Sequence, residues 1–194
     1  MSPVDRNSAD RDRVPPGQDL ASDFPVLQAG QVEHLSADTW TLNIFGLVDH
    51  LCTFDWRTLL LFPSVEQTCD IHCVTGWSKL DTRWTGVRVT ELLKGVNIKP
   101  QARHVVAHAP SGWTTNLPLE ELLKDDVIVA YEYERRPISA EHGGPVRLIV
   151  PRLYLWKSAK WLTGIEFTAD ERLGFWELRG YHRLGDPWLE QRYS

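Results

Sequence analysis

A chain of 194 residues is long enough for one domain with a sizeable core and short for two. Its 21 basic and 26 acidic residues leave a formal net charge of −5, which excludes the general basic field of a nucleic-acid binder and makes any anion site a local feature. No apolar run reaches the roughly 18 to 20 residues that span a bilayer, and three cysteines without a signal-like N-terminus point to a reducing, cytoplasmic setting with no membrane insertion.

Residues 1–23 mix Asp, Arg, Ser, Asn, Pro and Gly with little to bury and read as a disordered leader, so the fold is expected over residues 24–194. From Thr39 to Val48, Trp40, Leu42 and Ile44 alternate with polar residues as a strand does. Asp55 stands as an N-cap ahead of a short helix through Trp56, Leu59 and Leu60 that ends before Pro63. Val65 and Ile71 lead along a strand to Cys73, and Gly76 then breaks the pattern into a loop carrying Trp77 and Trp84. Thr90 opens a second short helix closed by Gly95, and Pro118 precedes a third over residues 119–124. Strands are expected at residues 104–109, 127–134, 146–150 and 164–168, with a polar loop from Ser111 to Asn116. Many short strands with helices of one to two turns give a β-rich, mixed α+β single domain.

Cys73 lies at a strand end beside His72 and Thr75, where a thiolate can reach a ligand. Its bland reading is a buried cysteine acting as a small hydrophobe, which is kept for Cys52 and Cys69. Zinc on Cys69, His72 and Cys73 lacks a second, well-spaced ligand pair, and no local signature selects a histidine base for a cysteine hydrolase. The second concentration of chemistry runs from Tyr131 to Thr163, with six basic against three acidic residues. Arg147 sits inside the apolar strand Val146 to Val150, where a guanidinium needs a partner; a bound phosphate suits it. Gly143 and Gly144 would bring backbone amides to the same anion, and Ser158 and Lys160 would add donors. Among the nine tryptophans, Trp77, Trp113 and Trp156 are candidates for stacking on a ring, while Trp84 and Trp161 read as core.

Two segments, His72-Cys73-Val74-Thr75-Gly76-Trp77-Ser78-Lys79-Leu80-Asp81 with Trp84-Thr85-Gly86-Val87, and His142 to Pro151 followed by Trp156-Lys157-Ser158-Ala159-Lys160-Trp161, resemble the molybdopterin-binding domain of the sulfite oxidase family. The likeness is strongest to small prokaryotic members related to the catalytic subunit of the periplasmic methionine-sulfoxide reductase, and it covers about residues 24 to 194. It implies a molybdenum-molybdopterin cofactor whose metal takes Cys73 as a ligand, and a pterin and phosphate held by His142, Arg147, Ser158, Ala159 and Lys160. His108, Ser111 and Thr114 are implied contacts from the loop after the strand at residues 104–109. Trp77, Arg152, Tyr154 and Trp156 are implied at the substrate entrance, and Arg152 there would favour an anionic or strongly dipolar substrate such as sulfite or a sulfoxide. Where family members carry an Arg or Asn cluster near the start of the domain, this chain has Phe24-Pro25-Val26-Leu27-Gln28. The expected activity is oxygen-atom transfer by a bare catalytic unit served by a separate electron-transfer protein. The rival expectation is a non-enzymatic domain of the same fold that binds a ligand or protein through its tryptophan-rich surface.

Overall fold

In the structure, a computed structural model that describes residues 10–194, two mixed sheets share one core. The first, six-stranded, contains β1 (Asp19–Leu20), β4 (Ser64–His72), β5 (Trp77–Arg88), β8 (Ile128–Tyr133), β9 (Arg136–Pro137) and β10 (Arg147–Ile149). Its path runs β1-β5-β8-β10, with β4 and β9 paired to β5 and β8. The second contains β2 (Thr41–Gly46), β3 (Cys52–Asp55), β6 (His104–His108), β7 (Thr114–Pro118) and β11 (Gly164–Thr168), in the order β3-β2-β11-β6-β7. Among the described residues, three one-turn helices, α1 (Trp56–Leu59), α2 (Val89–Leu92) and α3 (Leu119–Leu122), lie between strands. The α+β, β-rich expectation holds.

Leu42, Ile44, Val105 and Ile165 of the second sheet belong to one buried cluster with Val87, Val129 and Leu148 of the first. Neighbouring residues of β8 and β10, Ile128, Ala130 and Ile149, point the other way into a second cluster with Ile71 and Trp84. The first sheet is therefore buried on both faces around β8, and the basic strand β10 lies deep inside the molecule. Asp55 caps α1 as expected, accepting from the Thr58 amide at 2.7 Å.

Three expectations need correction. The stretch expected as a loop after Gly76 is the twelve-residue strand β5, paired with β4, β8 and β1. Its inward residues include Ser78 and Thr82, both fully buried, so polar side chains occupy core-facing positions and mask the strand alternation. Helix α2 begins at Val89 with Arg88 before it and no side-chain cap, so Thr90 lies inside the helix. The leader divides: residues 1–9 lie outside the described residues, while the chain from Asp10 packs on the first sheet. Asp19 and Leu20 pair in parallel with Trp77 and Ser78, and the Arg13 guanidinium donates to Asp70 and Asp81. A polar segment with little to bury is ordered here by backbone pairing and ion pairs instead of an apolar face.

Candidate functional site

β4 ends at His72 and β5 begins at Trp77, so the four residues Cys73 to Gly76 form the hairpin turn that presents the thiol. The Gly76 amide donates to the Cys73 carbonyl at 3.0 Å and the Cys73 amide to the Trp77 carbonyl at 2.8 Å. Gly76 has φ +101°, a conformation that suits glycine in such a turn. Cys73 is 9% exposed, and its Sγ lies 3.2 Å from the Thr75 hydroxyl. Two residues distant in sequence hold this turn: the Gln18 side chain donates to the Cys73 carbonyl at 3.1 Å, and Arg192 Nη1 donates to the Val74 carbonyl at 2.5 Å. Arg192 also donates through Nη2 to the Gly17 carbonyl at 2.9 Å, tying the N-terminal segment to the same turn.

A cavity of about 280 Å³ opens beside the turn, and Cys73, Thr75, Trp77, Thr114, Arg147, Ser158, Ala159 and Lys160 all line it. The structure thus brings together the two segments singled out in the sequence. Arg147 is 1% exposed and donates Nη1 to the His142 carbonyl (2.7 Å) and Nη2 to the Ser158 carbonyl (3.0 Å). Its Nε has no partner among the described residues, and burial pulls the guanidinium down to about 9. Lys160 donates to the carbonyls of Glu141 (2.5 Å) and Leu27 (3.1 Å). Burial first, then Arg147, lowers its ammonium to about 8, while the charge of Cys73 acts in the opposite sense. The Ser158 hydroxyl accepts from the Val150 amide at 2.9 Å, which fixes the loop after β10.

Other expected site residues lie elsewhere. His142 lines a separate cleft with Tyr133, Arg136 and Ser139; its ring stacks on Phe24 at 4.0 Å, and it meets the main site through the carbonyl that holds Arg147. Burial, then Arg147 and Lys160, lower this imidazole to about 4. His108 turns to Glu166 (Nε2 to Oε2, 2.9 Å) and Phe45 and does not line the cavity, although the next residue, Ala109, does. Arg152 also lies outside it, with its side chain 58% exposed and 3.9 Å from Glu121. β10 ends at Ile149, and the chain turns at Pro151 and Arg152. Tyr154 is fully buried behind Cys73 and Val74, stacked at 5.2 Å on Trp156, so it backs the wall without lining it. The amides of Gly143 and Gly144 are spent on Ala140 and Ser139, not directed at an anion. These glycines instead make room: a Cβ on Gly143 would lie 2.6 Å from that of Lys160, and one on Gly144 would lie 1.9 Å from the Ile138 carbonyl oxygen. Cys69, His72 and Cys73 do not converge, and no group of three or more metal-binding side chains occurs among the described residues.

Sequence reasoning missed residues 24–31 and, in the aromatic wall, Trp176 and Tyr181, whereas Trp113 and Trp156 were expected as stacking residues. Residues 24–31 run along the cavity, anchored by Phe24 on His142 and by Leu27 on Lys160. An aromatic wall is built by Trp113, Trp156, Trp176 and Tyr181. Trp176 stacks on Tyr181 at 4.8 Å, and Tyr181 meets Trp156 edge-on at 5.1 Å. Behind the wall, Glu177 Oε1 accepts from the Trp156 indole (2.9 Å) and the Thr115 hydroxyl (3.0 Å), and pairs with Lys157 at 2.6 Å. Lys157 donates further to the Asn116 carbonyl and side chain, both at 2.9 Å, which satisfies a fully buried ammonium. The one sequence signal for this wall is the abundance of tryptophan.

The residues fit a ring-bearing, phosphate-ended cofactor with a soft metal: a thiol, the buried Arg147, the half-buried Lys160 and the unpartnered Trp77 indole N–H surround one cavity. Comparison with known proteins agrees. The family model for the oxidoreductase molybdopterin-binding domain matches residues 29–176. The chain is 46% identical over 190 residues to "Uncharacterized oxidoreductase YuiH" of Bacillus subtilis, covering 97% of this chain and 96% of that protein. It is 31% identical over 110 residues to the mitochondrial sulfite oxidase of Drosophila melanogaster, covering 52% of this chain and 19% of that one. Among solved structures, the sulfane dehydrogenase SoxCD of Paracoccus pantotrophus superposes with a TM-score of 0.65 at 23% identity, over 72% of this chain and 40% of that one, which is a likeness of fold. The chain belongs to the molybdopterin-binding oxidoreductase family, whose cofactor is molybdenum-molybdopterin.

Proposed function

We propose that this protein is an oxygen-atom-transfer oxidoreductase that works with a separate electron-transfer protein. The observation that carries the proposal is the single cavity lined by the Cys73 thiol, by Arg147 and by Lys160. When bound, molybdenum-molybdopterin would supply two-electron redox chemistry at a metal that can take or give an oxygen atom. Cys73 would hold the metal through Sγ, with the Thr75 hydroxyl in hydrogen-bond reach to temper the thiolate. Arg147 and Lys160 would hold the phosphate end, with the otherwise unpartnered Arg147 Nε as a donor. Ser158 and Ala159 would shape the floor, and Thr114 the adjoining side. Gln18 and Arg192 would keep the turn rigid, so that the thiol presents one geometry, and the aromatic wall would exclude water. A cytoplasmic location belongs to the same proposal: all three cysteines are free, and no described helix is long and apolar enough to cross a membrane.

Metal analysis after expression in a host that makes the cofactor tests the reading. Stoichiometric molybdenum, lost in Cys73→Ala, is the expected result. Metal-free protein from such a host would favour the non-enzymatic binding domain instead, and turnover indifferent to that substitution would overturn the role given to Cys73.

A further inference from the structure

One wall of the cavity is held in a different way from the others. Residues 24–31 line it, yet among the described residues no backbone–backbone hydrogen bond involves any residue from Ser22 to Leu35. Both ends of this strap are fixed. Phe24 packs on the cluster of Ile71, Trp84 and Ile149 with its ring stacked on His142, and Leu35 packs on the main core. Between those ends the attachments are few, and side chains of other elements make them. Lys160 donates to the Leu27 carbonyl at 3.1 Å, the Ser111 hydroxyl donates to Glu33, and Trp113 lies against Gly30, where a Cβ would stand 3.5 Å from the indole. Val26 and Leu27 stand half in water, and Gln28 to Gln31 are exposed. The strap is therefore a single layer of chain with the cavity on one side and solvent on the other.

The other walls are harder to move. Arg147 lies in a buried strand with both Nη groups bonded to carbonyls, and the Trp156 indole is held by the buried pair of Glu177 and Lys157. Displacing either leaves buried polar groups unpaired. Lifting residues 25–34 breaks no backbone pairing and moves apolar side chains that already stand half in water, as in a segment of low local stability.

We infer that residues 25–34 are the gate of the cofactor site: they open to admit molybdenum-molybdopterin and close over it, and Lys160 couples closure to the bound phosphate. An ammonium has three donors. Lys160 spends two on the carbonyls of Glu141 and Leu27, which leaves one for a phosphate oxygen in the cavity. An anion on that third donor restrains the side chain that holds Leu27. Binding therefore favours the closed strap, and by linkage the closed strap tightens binding. This role follows from the cofactor alone and is independent of the reaction catalysed.

The test compares molybdenum-loaded protein with protein made in a host unable to synthesise the cofactor. Both are treated with elastase, which cuts after small apolar residues such as Val26 and Ala29, and the sites are read by mass spectrometry. Cutting within residues 25–34 is expected to be roughly 10- to 100-fold faster without the cofactor, the span of an ordinary coupling between two sites. Loaded protein nicked there by prolonged digestion should keep its fold, since the pairing of Asp19 and Leu20 and the Arg13 ion pairs hold the N-terminal piece. It should nonetheless release molybdenum and pterin several-fold faster than intact protein, as read by metal analysis and pterin fluorescence after gel filtration. Phe24→Ala, which removes one anchor of the strap, should speed both cutting and release; the unaltered protein decides the matter if this variant fails to fold. Equal cutting rates in the two forms, or a nicked protein that keeps its cofactor as well as the intact one, would overturn the gate and leave the oxygen-atom-transfer reading standing. Protein that carries no molybdenum even from a cofactor-making host would overturn both.

Discussion

The basic and aromatic walls of the cavity are built by different means. Arg147, Ser158 and Lys160 come from one stretch, β10 and the loop after it, and bond mainly to carbonyls of that stretch and of the turn before it. Trp113, Trp156, Trp176 and Tyr181 come from three separate segments and are held through a buried ion pair and ring contacts. A cradle made within one segment can be carried by a short motif. A wall assembled across the fold depends on packing everywhere behind it, and so differs in what breaks it.

Substitutions can break or sharpen that contrast. The largest effect belongs to the residue between the walls: Cys73→Ser should abolish dye-linked turnover while shifting stability by no more than about 1 kcal/mol in circular-dichroism melting. Lys157→Met should be next, because it leaves Glu177 buried without its counter-charge; a loss of about 3–5 kcal/mol is expected in denaturant unfolding, with Trp156 fluorescence altered. Arg147→Met should cost less stability, about 2–3 kcal/mol from two carbonyls left unpaired, and should lower the molybdenum content recovered with the protein. Arg192→Gln should barely move melting, yet should speed alkylation of Cys73 several-fold in cofactor-free protein by loosening the turn; an unchanged rate would show that the Val74 contact does not restrain it.

The smallest effect is on acid stability. His142 is held near 4 in the folded protein against an ordinary 6.5. Between those values the unfolded chain binds a proton that the folded chain refuses, so stability falls as pH drops from about 6.5 towards 4 and is unaffected by this group above that window. His142→Phe, which keeps a ring against Phe24, should flatten this part of a melting-temperature profile against pH.

Both the strand leading to Cys73 and the charged strand around Arg147 were legible because their chemistry is local: a thiol where an alternation ends, and a guanidinium inside an apolar run. β5 was not, since Ser78 and Thr82 face inward and invert the pattern. The 10–23 segment was not, since composition reports what a segment can bury and is silent on the edge pairing that orders Asp19 and Leu20. Arg152 misled for a related reason: the sequence lays it two residues before Tyr154, but the turn at Pro151 sends the two side chains to opposite environments, one exposed and one sealed.

The clamp on the cysteine turn has a consequence in time. Gln18 is made before the hairpin it grips, whereas Arg192 follows Val74 by 118 residues. A ribosome therefore delivers the complete Cys73 hairpin long before it delivers the guanidinium that locks it. Until then the thiol sits in a turn steadied from one side only, which leaves an interval in synthesis when the hairpin exists but its final geometry does not.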